Sequence, residues 1–334
     1  MNLTTEYLGL RLRNPLIASA SPLNGQLGAL RELEDCGAAA VVLPSLFEER
    51  IYSEFAEDER SARLPASGCP EAQTYFPSHA RPADAADRYL RSVQRAKAAL
   101  DIPVVASLSC VRAECWRDYA LQIQHAGADA LELNLGAVPA APELSGSEVE
   151  DACVQAVATV RRTVHIPIAV KLAPYFSSLG ALARALCAAG ADGLVLFNRF
   201  YQPDIDIRNL NLSLDIALSS AWEARLPLRW IALLHGRVPA ALAASTGIDS
   251  PDDVYKLILA GADTVMTTSA LLRHGIPHMR QLVNGLADLL AARNLDSPSQ
   301  ARGQMSALRL SARSNDIRAN YVQMLQTAHL IPNS

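Results

Sequence analysis

The sequence lacks the features that mark membrane, secreted and cysteine-rich proteins. Its six cysteines are too sparse for a disulfide framework in 334 residues, and none belongs to a Cys-x-x-Cys pair typical of zinc or iron–sulfur sites. Cys110 and Cys115 are the closest two, and nothing near them in the sequence completes a metal site. No apolar run reaches the roughly 18–20 residues of a membrane span, and the N-terminus lacks the apolar core of a signal peptide. We therefore expect a cytoplasmic protein with no metal and no membrane association.

An excess of positive charge is also missing. The chain has 30 Lys and Arg against 34 Asp and Glu, which gives a formal net charge of -4. Because no overall basic field would attract a phosphate backbone, nucleic acid is not expected as a partner. Hydrophobic residues make up 50% of the chain and charged residues 19%. That composition excludes a disordered or fibrous chain and supplies apolar material for one large core.

Two short patterns recur along the chain. In the first, a glycine that follows a helical stretch leads into a short apolar run: CGAAAVVL at 36–43, AGADALEL at 126–133, AGADGLVL at 189–196 and AGADTVMT at 260–267. Glycine suits the left-handed end of a helix, and such apolar runs are typical of parallel strands buried on both faces. In the second, a proline precedes the run: NPLIASAS at 14–21, IPVVASLS at 102–109 and IPIAVKLA at 166–173.

These patterns predict eight strands, mostly separated by helical segments. The predicted strands are 15–20, 39–44, 103–109, 130–136, 167–173, 193–198, 241–246 and 264–269. Alternation of buried strands and helices indicates an α/β protein, and eight such units favour a closed (β/α)8 TIM barrel. A doubly wound open sheet is the alternative, but no G-x-G-x-x-G motif opens a helix here.

Three irregular stretches interrupt the alternation, at 45–85, 199–240 and 290–334. The first two are predicted to be long loop insertions on the C-terminal face, where barrels build their active sites. The third has helical character after a Ser/Pro break. We therefore divide the chain into a barrel at 1–290 and a helical C-terminal extension at 291–334 that packs on it.

Polar residues gather at the predicted strand ends. Neutral hydrogen-bonding groups there surround one lysine, Lys171, and the set comprises Ser19, Ala20, Ser21, Ser107, Ser109, Asn134, Asn198, Ser245, Thr246, Gly247, Thr267, Thr268 and Ser269, with Glu132 close to the end of the fourth strand. The set contains neither a His or carboxylate cluster for a metal nor a Ser/His/Asp arrangement. It suits a planar, anionic ligand, with a phosphate held after strands seven and eight. A buried lysine needs a partner of that kind.

Simpler interpretations remain open for single positions. A Ser or Thr at a strand end is often a helix cap, and Asn198 could cap the segment that follows it. His235, in the segment LLHGR, is as consistent with a structural histidine as with a site residue.

The chain as a whole resembles the dihydroorotate dehydrogenase family, whose members are flavin-dependent (β/α)8 barrels of pyrimidine synthesis. The resemblance covers about 1–290. It rests on YLGLRLRNPLIASAS at the first barrel strand, ALELNLG at the fourth, VKLAPYF at the fifth and STGIDSPDDVYKLILAGADTVMTTSALL at the phosphate-binding end. VKLAPYF and LELNL are its most specific parts.

The resemblance implies an FMN site and assigns roles within it. It places FMN contacts at Ser19, Ala20, Ser21, Ser45, Asn134, Lys171, Thr246, Gly247, Thr268 and Ser269. Lys171, Asn134 and Asn198 are the implied catalytic residues: Asn198 would hold the substrate ring, Asn134 would serve flavin and substrate, and Lys171 would stabilise the reduced flavin. A small-molecule substrate, a homodimer and a separate electron-transfer partner are the implied partners.

The sequence departs from the family pattern in the substrate half of the site. The family's catalytic Cys or Ser corresponds to Ala137 in the run Gly136-Ala137-Val138-Pro139, and a strand-two lysine is replaced by Pro44. The family's Asn-Ser-Met-Gly-Leu-Pro-Asn segment is absent, and Gln73-Thr74-Tyr75-Phe76-Pro77 is the nearest stretch to it. Ser245-Thr246-Gly247 stands where the family has Gly-Thr-Gly-Gly.

Three functions stay open from the sequence. The first is an FMN-dependent oxidoreductase acting on dihydroorotate or a related small substrate, with Cys110, Tyr175 or His235 as substitute proton acceptors. The second is an FMN-binding regulatory barrel without dihydroorotate turnover, since Ala137 cannot accept a proton. The third is an aldolase-type barrel that uses Lys171 as a Schiff-base nucleophile.

Overall fold

A computed structural model describes residues 1–51, 85–136, 140–199, 203–213 and 217–311. It contains twelve strands in these ranges: β1 Thr5–Tyr7, β2 Leu10–Leu12, β3 Leu16–Ala18, β4 Ala40–Phe47, β5 Val104–Ser109, β6 Ala130–Leu135, β7 Ile168–Leu172, β8 Gly193–Leu196, β9 Asp204–Asp206, β10 Asn211–Ser213, β11 Ala241–Ser245 and β12 Thr264–Thr267. Each of the eight predicted strands coincides with one of them.

Eight parallel strands close into a barrel in the order β11-β12-β3-β4-β5-β6-β7-β8. This confirms the predicted (β/α)8 barrel and excludes the doubly wound open sheet. The β4–β5 ladder is irregular between Val42 and Ser45 and resumes where Ser45 pairs with Ser107. Pro44 lies in that gap, where its missing N–H donor costs no ladder hydrogen bond.

Helices pack outside the barrel between successive strands. They are α1 Leu27–Asp35, α2 Ala85–Ala99, α3 Ala113–His125, α4 Gly146–Arg161, α5 Leu179–Ala188, α6 Arg225–Leu234, α7 Pro251–Ala260, α8 Ser269–His274, α9 His278–Ala291, α10 Pro298–Ala301 and α11 Ala307–Ser311, with short 3-10 turns at Pro22–Gly25 and Ala221–Ala224. The glycine of each of the four repeats lies one or two residues after the end of a helix, as predicted. No helix in the described ranges is long and apolar enough to cross a membrane.

The N-terminal hairpin of β1 and β2 closes one end of the barrel. Tyr7, Leu8 and Leu12 are buried in one cluster with inward-facing residues of the barrel strands. A Cβ on Gly193, the first residue of β8, would meet Tyr7 Cε2 at 3.5 Å. Because apolar side chains fill the amino end of the barrel, a ligand cavity can open only at the carboxyl ends of the strands.

The insertions are only partly within the described residues. Residues 52–84, which include the segment from Gln73 to Pro77, lie outside the described ranges. The predicted irregular stretch 199–240 contains an antiparallel hairpin of β9 and β10, but it also contains α6, the regular barrel helix after β8. That part of the prediction was wrong, because RLPLRWIALL is a helix.

The beginning of the C-terminal extension packs on α7. Gly303 N donates to Ile258 O at 3.0 Å, and Met305 N donates to Leu259 O at 2.8 Å. Arg302 forms an ion pair with Asp263. Residues 312–334 lie outside the described ranges, so the proposed division into a barrel and a tail stays a prediction.

Candidate active site

A cavity of about 380 Å³ opens at the carboxyl ends of the barrel strands, within the usual size of small-molecule and cofactor sites. Nine of the eleven residues that the resemblance assigns to the site line it: Ser19, Ala20, Ser21, Lys171, Asn198, Thr246, Gly247, Thr268 and Ser269. They follow or end five different strands, which is how a barrel assembles distant parts of a chain at one face. Their roles as FMN or substrate ligands stay predictions.

Lys171 provides the buried charge of this cavity. Its position on β7 places the side chain inside the barrel, where the residue is 7% exposed. Its ammonium donates to Ser19 Oγ at 3.3 Å and lies 3.6 Å from Glu132 Oε1. The sequence predicted only neutral groups around Lys171, but the structure also places a carboxylate, that of Glu132, beside it. Glu132 faces inward because it is two residues from Asn134 on the same strand.

A chain of side-chain hydrogen bonds leads from the cavity to β4. Asn198 Nδ2 donates to Asn134 Oδ1 at 2.8 Å, and Asn134 Nδ2 lies 3.5 Å from Ser45 Oγ. Ser45 Oγ and Ser107 Oγ are 2.7 Å apart. Asn134 and Ser45 do not line the cavity themselves, but these contacts fix the amide of Asn198, which does.

The predicted phosphate end includes a residue that the sequence did not reveal. Ser219 lines the cavity; its Oγ donates to Ser269 Oγ at 2.8 Å and accepts from Gly247 N at 3.3 Å. Arg273 donates to Ser219 O at 2.9 Å. Ser219 belongs to the long segment after β8 and ends no strand, so no sequence pattern marks it.

Two predicted phosphate ligands already use their hydroxyl hydrogens. Thr246 Oγ1 donates to Phe197 O at 3.0 Å, and Thr268 Oγ1 donates to Ser19 O at 3.1 Å. An anion held here would therefore depend on backbone N–H groups more than on these hydroxyls.

The three substitute proton acceptors do not line the cavity. His235 follows α6 and lies at the opposite, amino end of the strands, where its Nδ1 is 3.1 Å from Gly261 O. The interpretation of His235 as a base is therefore wrong. Tyr175 is 71% exposed. Burial raises the pKa of Cys110, so its thiol stays protonated and is a poor base.

His235 instead predicts a pH dependence of stability. Burial lowers its pKa, Arg302 and Arg309 add to that shift, and the hydrogen bond with Gly261 opposes it. A histidine with a depressed pKa contributes stability that is present above its unfolded pKa of about 6.5 and is lost as pH falls. We expect the thermal midpoint to fall between pH 7.5 and 5.5, and His235→Gln to remove part of that fall. The exposed His165, changed to Gln, is the control, and an unchanged pH profile in His235→Gln would contradict the assignment.

One cluster among the described residues has metal-ligand chemistry. Single donor atoms of Glu48, Cys110 and Cys115 lie within 4.8 Å of one another. However, Glu48 accepts from Val111 N at 2.7 Å and Arg112 N at 3.0 Å, and Arg112 Nε lies 2.5 Å from its other oxygen. Burial alone would raise the pKa of Glu48, but these hydrogen bonds outweigh burial and lower it. The carboxylate thus holds the two residues that lead into α3, a role that the sequence did not show.

Comparison with known proteins gives a family match over most of the chain. The family described as Dihydroorotate dehydrogenase matches residues 2–290. The chain is 26% identical over 298 residues to a dihydroorotate dehydrogenase B (NAD(+)) catalytic subunit of Thermoplasma acidophilum, covering 85% of this chain and 92% of that relative.

Two further relatives bracket the range of similarity. A dihydroorotate dehydrogenase B (NAD(+)) catalytic subunit of Halalkalibacterium halodurans is 30% identical over 177 residues, 51% of this chain and 58% of that relative. The NAD-dependent dihydropyrimidine dehydrogenase subunit PreA of Escherichia coli K12 is 22% identical over 325 residues, 90% of this chain and 76% of that relative. The names of these relatives state two different substrates, dihydroorotate and a dihydropyrimidine.

Proposed function

The chain belongs to the dihydroorotate dehydrogenase family, and from this premise we propose that it is an FMN-dependent oxidoreductase that oxidises a small cyclic substrate, dihydroorotate or a related carboxylated ring. The observation that supports this most is the buried ammonium of Lys171 in a cavity otherwise lined by an amide, hydroxyls, apolar groups and Arg199, whose guanidinium is paired with Glu223.

The residues present fit a flavin. Lys171 has three N–H donors and only Ser19 accepts a hydrogen bond from it among the described residues, since Glu132 Oε1 at 3.6 Å is beyond that distance. It therefore keeps donor capacity for a ligand. Bound FMN would supply a two-electron acceptor that takes a hydride from the substrate. Lys171 would then stabilise negative charge on the ring system, and Gly247 and its neighbours would hold the phosphate.

Asn198 is the residue we assign to substrate orientation. It lines the cavity, and its donation to Asn134 leaves its own carbonyl oxygen and second N–H for a ring amide. An amide that Asn134 already holds in place can bind a planar ring through one donor and one acceptor at little entropic cost.

Replacing Asn198 with alanine should reduce kcat/KM for the substrate by about 10- to 100-fold, because one or two hydrogen bonds to the ring are lost. FMN affinity should change little. Steady-state kinetics and flavin fluorescence measure the two quantities. Asn209→Ala, in the exposed β9–β10 hairpin, is the control. A loss of FMN affinity with unchanged KM would assign Asn198 to the cofactor instead.

A second function is favoured by one observation. Among the described residues that line the cavity there is no carboxylate, His, Cys or Tyr, and Ala137, which replaces the family's base, lies outside the described ranges. An FMN-binding barrel without dihydroorotate turnover is the function that this favours. Anaerobic addition of dihydroorotate to the flavin-loaded protein separates the two: bleaching of the flavin spectrum supports the enzyme, and an unchanged spectrum supports the binding protein.

The aldolase interpretation has less support. A Schiff-base mechanism needs a group that moves protons at the bound substrate, and no described residue that lines the cavity is a carboxylate, His, Cys or Tyr. Trapping of a substrate on Lys171 by borohydride would overturn this assessment.

A further inference from the structure

The carboxylate of Glu132 is fully buried inside the barrel, below the cavity. Glu132 is 0% exposed and stands on β6 two residues before Asn134. Neither of its oxygens accepts a hydrogen bond from a described residue. A buried carboxylate without hydrogen bonds is strongly unfavourable, so its presence requires a compensating interaction.

The neighbours of Glu132 identify that interaction. Asn134 pairs with Lys171 across β6 and β7, which places Lys171 one layer nearer the cavity than Glu132. The separation of Lys171 Nζ from Glu132 Oε1 is 3.6 Å, and both side chains are more than nine-tenths buried. In an interior of low dielectric this attraction is much stronger than a surface ion pair.

Among the described residues, only Lys171 forms an ion pair with Glu132. Tyr7, from the N-terminal hairpin, has a buried hydroxyl with no hydrogen-bond partner among the described residues. Burial raises the pKa of Tyr7, and the negative charge of Glu132 raises it further. The same charge contributes to the raised pKa of Tyr89, after burial. Both phenols therefore stay neutral, and Lys171 supplies the positive charge that compensates Glu132.

Lys171 in turn depends on Glu132 for its counter-charge. Besides Glu132, its ammonium contacts only Ser19 Oγ among the described residues. A lysine in such a place turns its ammonium towards solvent when its counter-charge is removed. The carboxylate is thus needed to keep the ammonium at the base of the cavity.

We propose that Glu132 is a positioning residue: it holds the Lys171 ammonium in place, and through Lys171 it sets how strongly the cavity stabilises reduced FMN. The effect on reduced FMN rests on the proposed function. The coupling of the Glu132 and Lys171 side chains does not.

A double-mutant cycle on the full-length protein without added flavin tests the coupling. Glu132→Gln and Lys171→Met should each lower the thermal midpoint by roughly 5–10 °C, because each leaves one buried charge unpaired. The double variant should recover most of this loss, since no charge remains. Thr264→Val removes another buried, unpartnered oxygen from the barrel and is the control for packing changes. Additive losses in the double variant would overturn the coupling, as would a double variant that fails to fold.

Flavin binding tests the positioning role. Glu132→Gln should weaken binding of reduced FMN by about tenfold or more and lower the reduction potential of the bound flavin, the same direction as Lys171→Met. Glu132→Asp should restore part of the loss. In the Lys171→Met background, Glu132→Gln should change the affinity for reduced FMN by no more than about twofold and should leave the reduction potential unchanged. The carboxyl group then has no ammonium to position.

The outcomes distinguish the positioning role of Glu132 from the proposed function. A potential that rises in Glu132→Gln would overturn the positioning role, since it would mean that Lys171 stays charged and in place without Glu132. Coupled stability without any FMN uptake by the unaltered protein would refute the proposed function and leave the ion pair standing.

Discussion

Replacing Lys171 with methionine should weaken binding of reduced FMN by about 10- to 100-fold and lower the reduction potential of the bound flavin. Methionine keeps the length of the aliphatic stem but removes the charge and its donors. A hydrogen bond from a charged group is worth about 1.5–3 kcal/mol, which corresponds to this range. Oxidised FMN, which carries less negative charge on its ring, should lose less affinity.

The chain provides a matched control for this substitution. Lys256 is one of only three lysines, and its side chain is 62% exposed beside Asp253. Lys256→Met should leave the flavin potential and affinity unchanged. Equal potentials for Lys171→Met and the unaltered protein, measured by dye-linked titration, would remove Lys171 from the flavin site.

A single methyl group at Gly247 should abolish most FMN binding. Gly247 has φ +78°, and a Cβ there would collide with the backbone of the segment after β8, at Ala224 N, Ser220 O (2.8 Å) and Glu223 C (2.9 Å). Backbone cannot yield as a flexible side chain does. Gly247→Ala should therefore displace this segment together with Ser219, which Gly247 N contacts. We expect affinity for FMN to fall by about 100-fold, since several anion contacts lose their positions together.

Gly9 supplies the control for backbone strain alone. Its φ of +72° is nearly the same, but a Cβ there would meet nothing within 4 Å. Gly9→Ala should cost only the roughly 1–2 kcal/mol of a left-handed alanine and should leave FMN affinity intact. Similar losses of FMN affinity in both variants would show that the close approach at Gly247 is irrelevant to the site.

The barrel could be predicted from the sequence because its signals are local. Each repeated glycine marks a helix end and each apolar run a buried strand, so eight units could be counted without any long-range contact. The strand-end residues followed from the fold, since parallel strands in a barrel deliver their last residues to one face. This is why Ser19, Lys171 and Thr268, from distant parts of the chain, could be placed together.

One site residue, Ser219, was missed because its position depends on tertiary contacts. Ser219 reaches the site because the segment after β8 folds back over Gly247 and Ser269, and no local pattern encodes that path. His235 was misplaced although the fold itself gives its position: a residue between a helix and the next strand lies at the amino end of a barrel. Glu132 was visible as a charge within an apolar strand, the signal that identified Lys171.

The visible absorption spectrum of the purified protein after incubation with FMN and removal of free flavin tests the central claim most directly. We predict a bound-flavin spectrum with about one FMN per chain, lost on Gly247→Ala and kept on Gly9→Ala. A protein that stays colourless and takes up no FMN would contradict the account, because every role assigned to the cavity depends on that ligand.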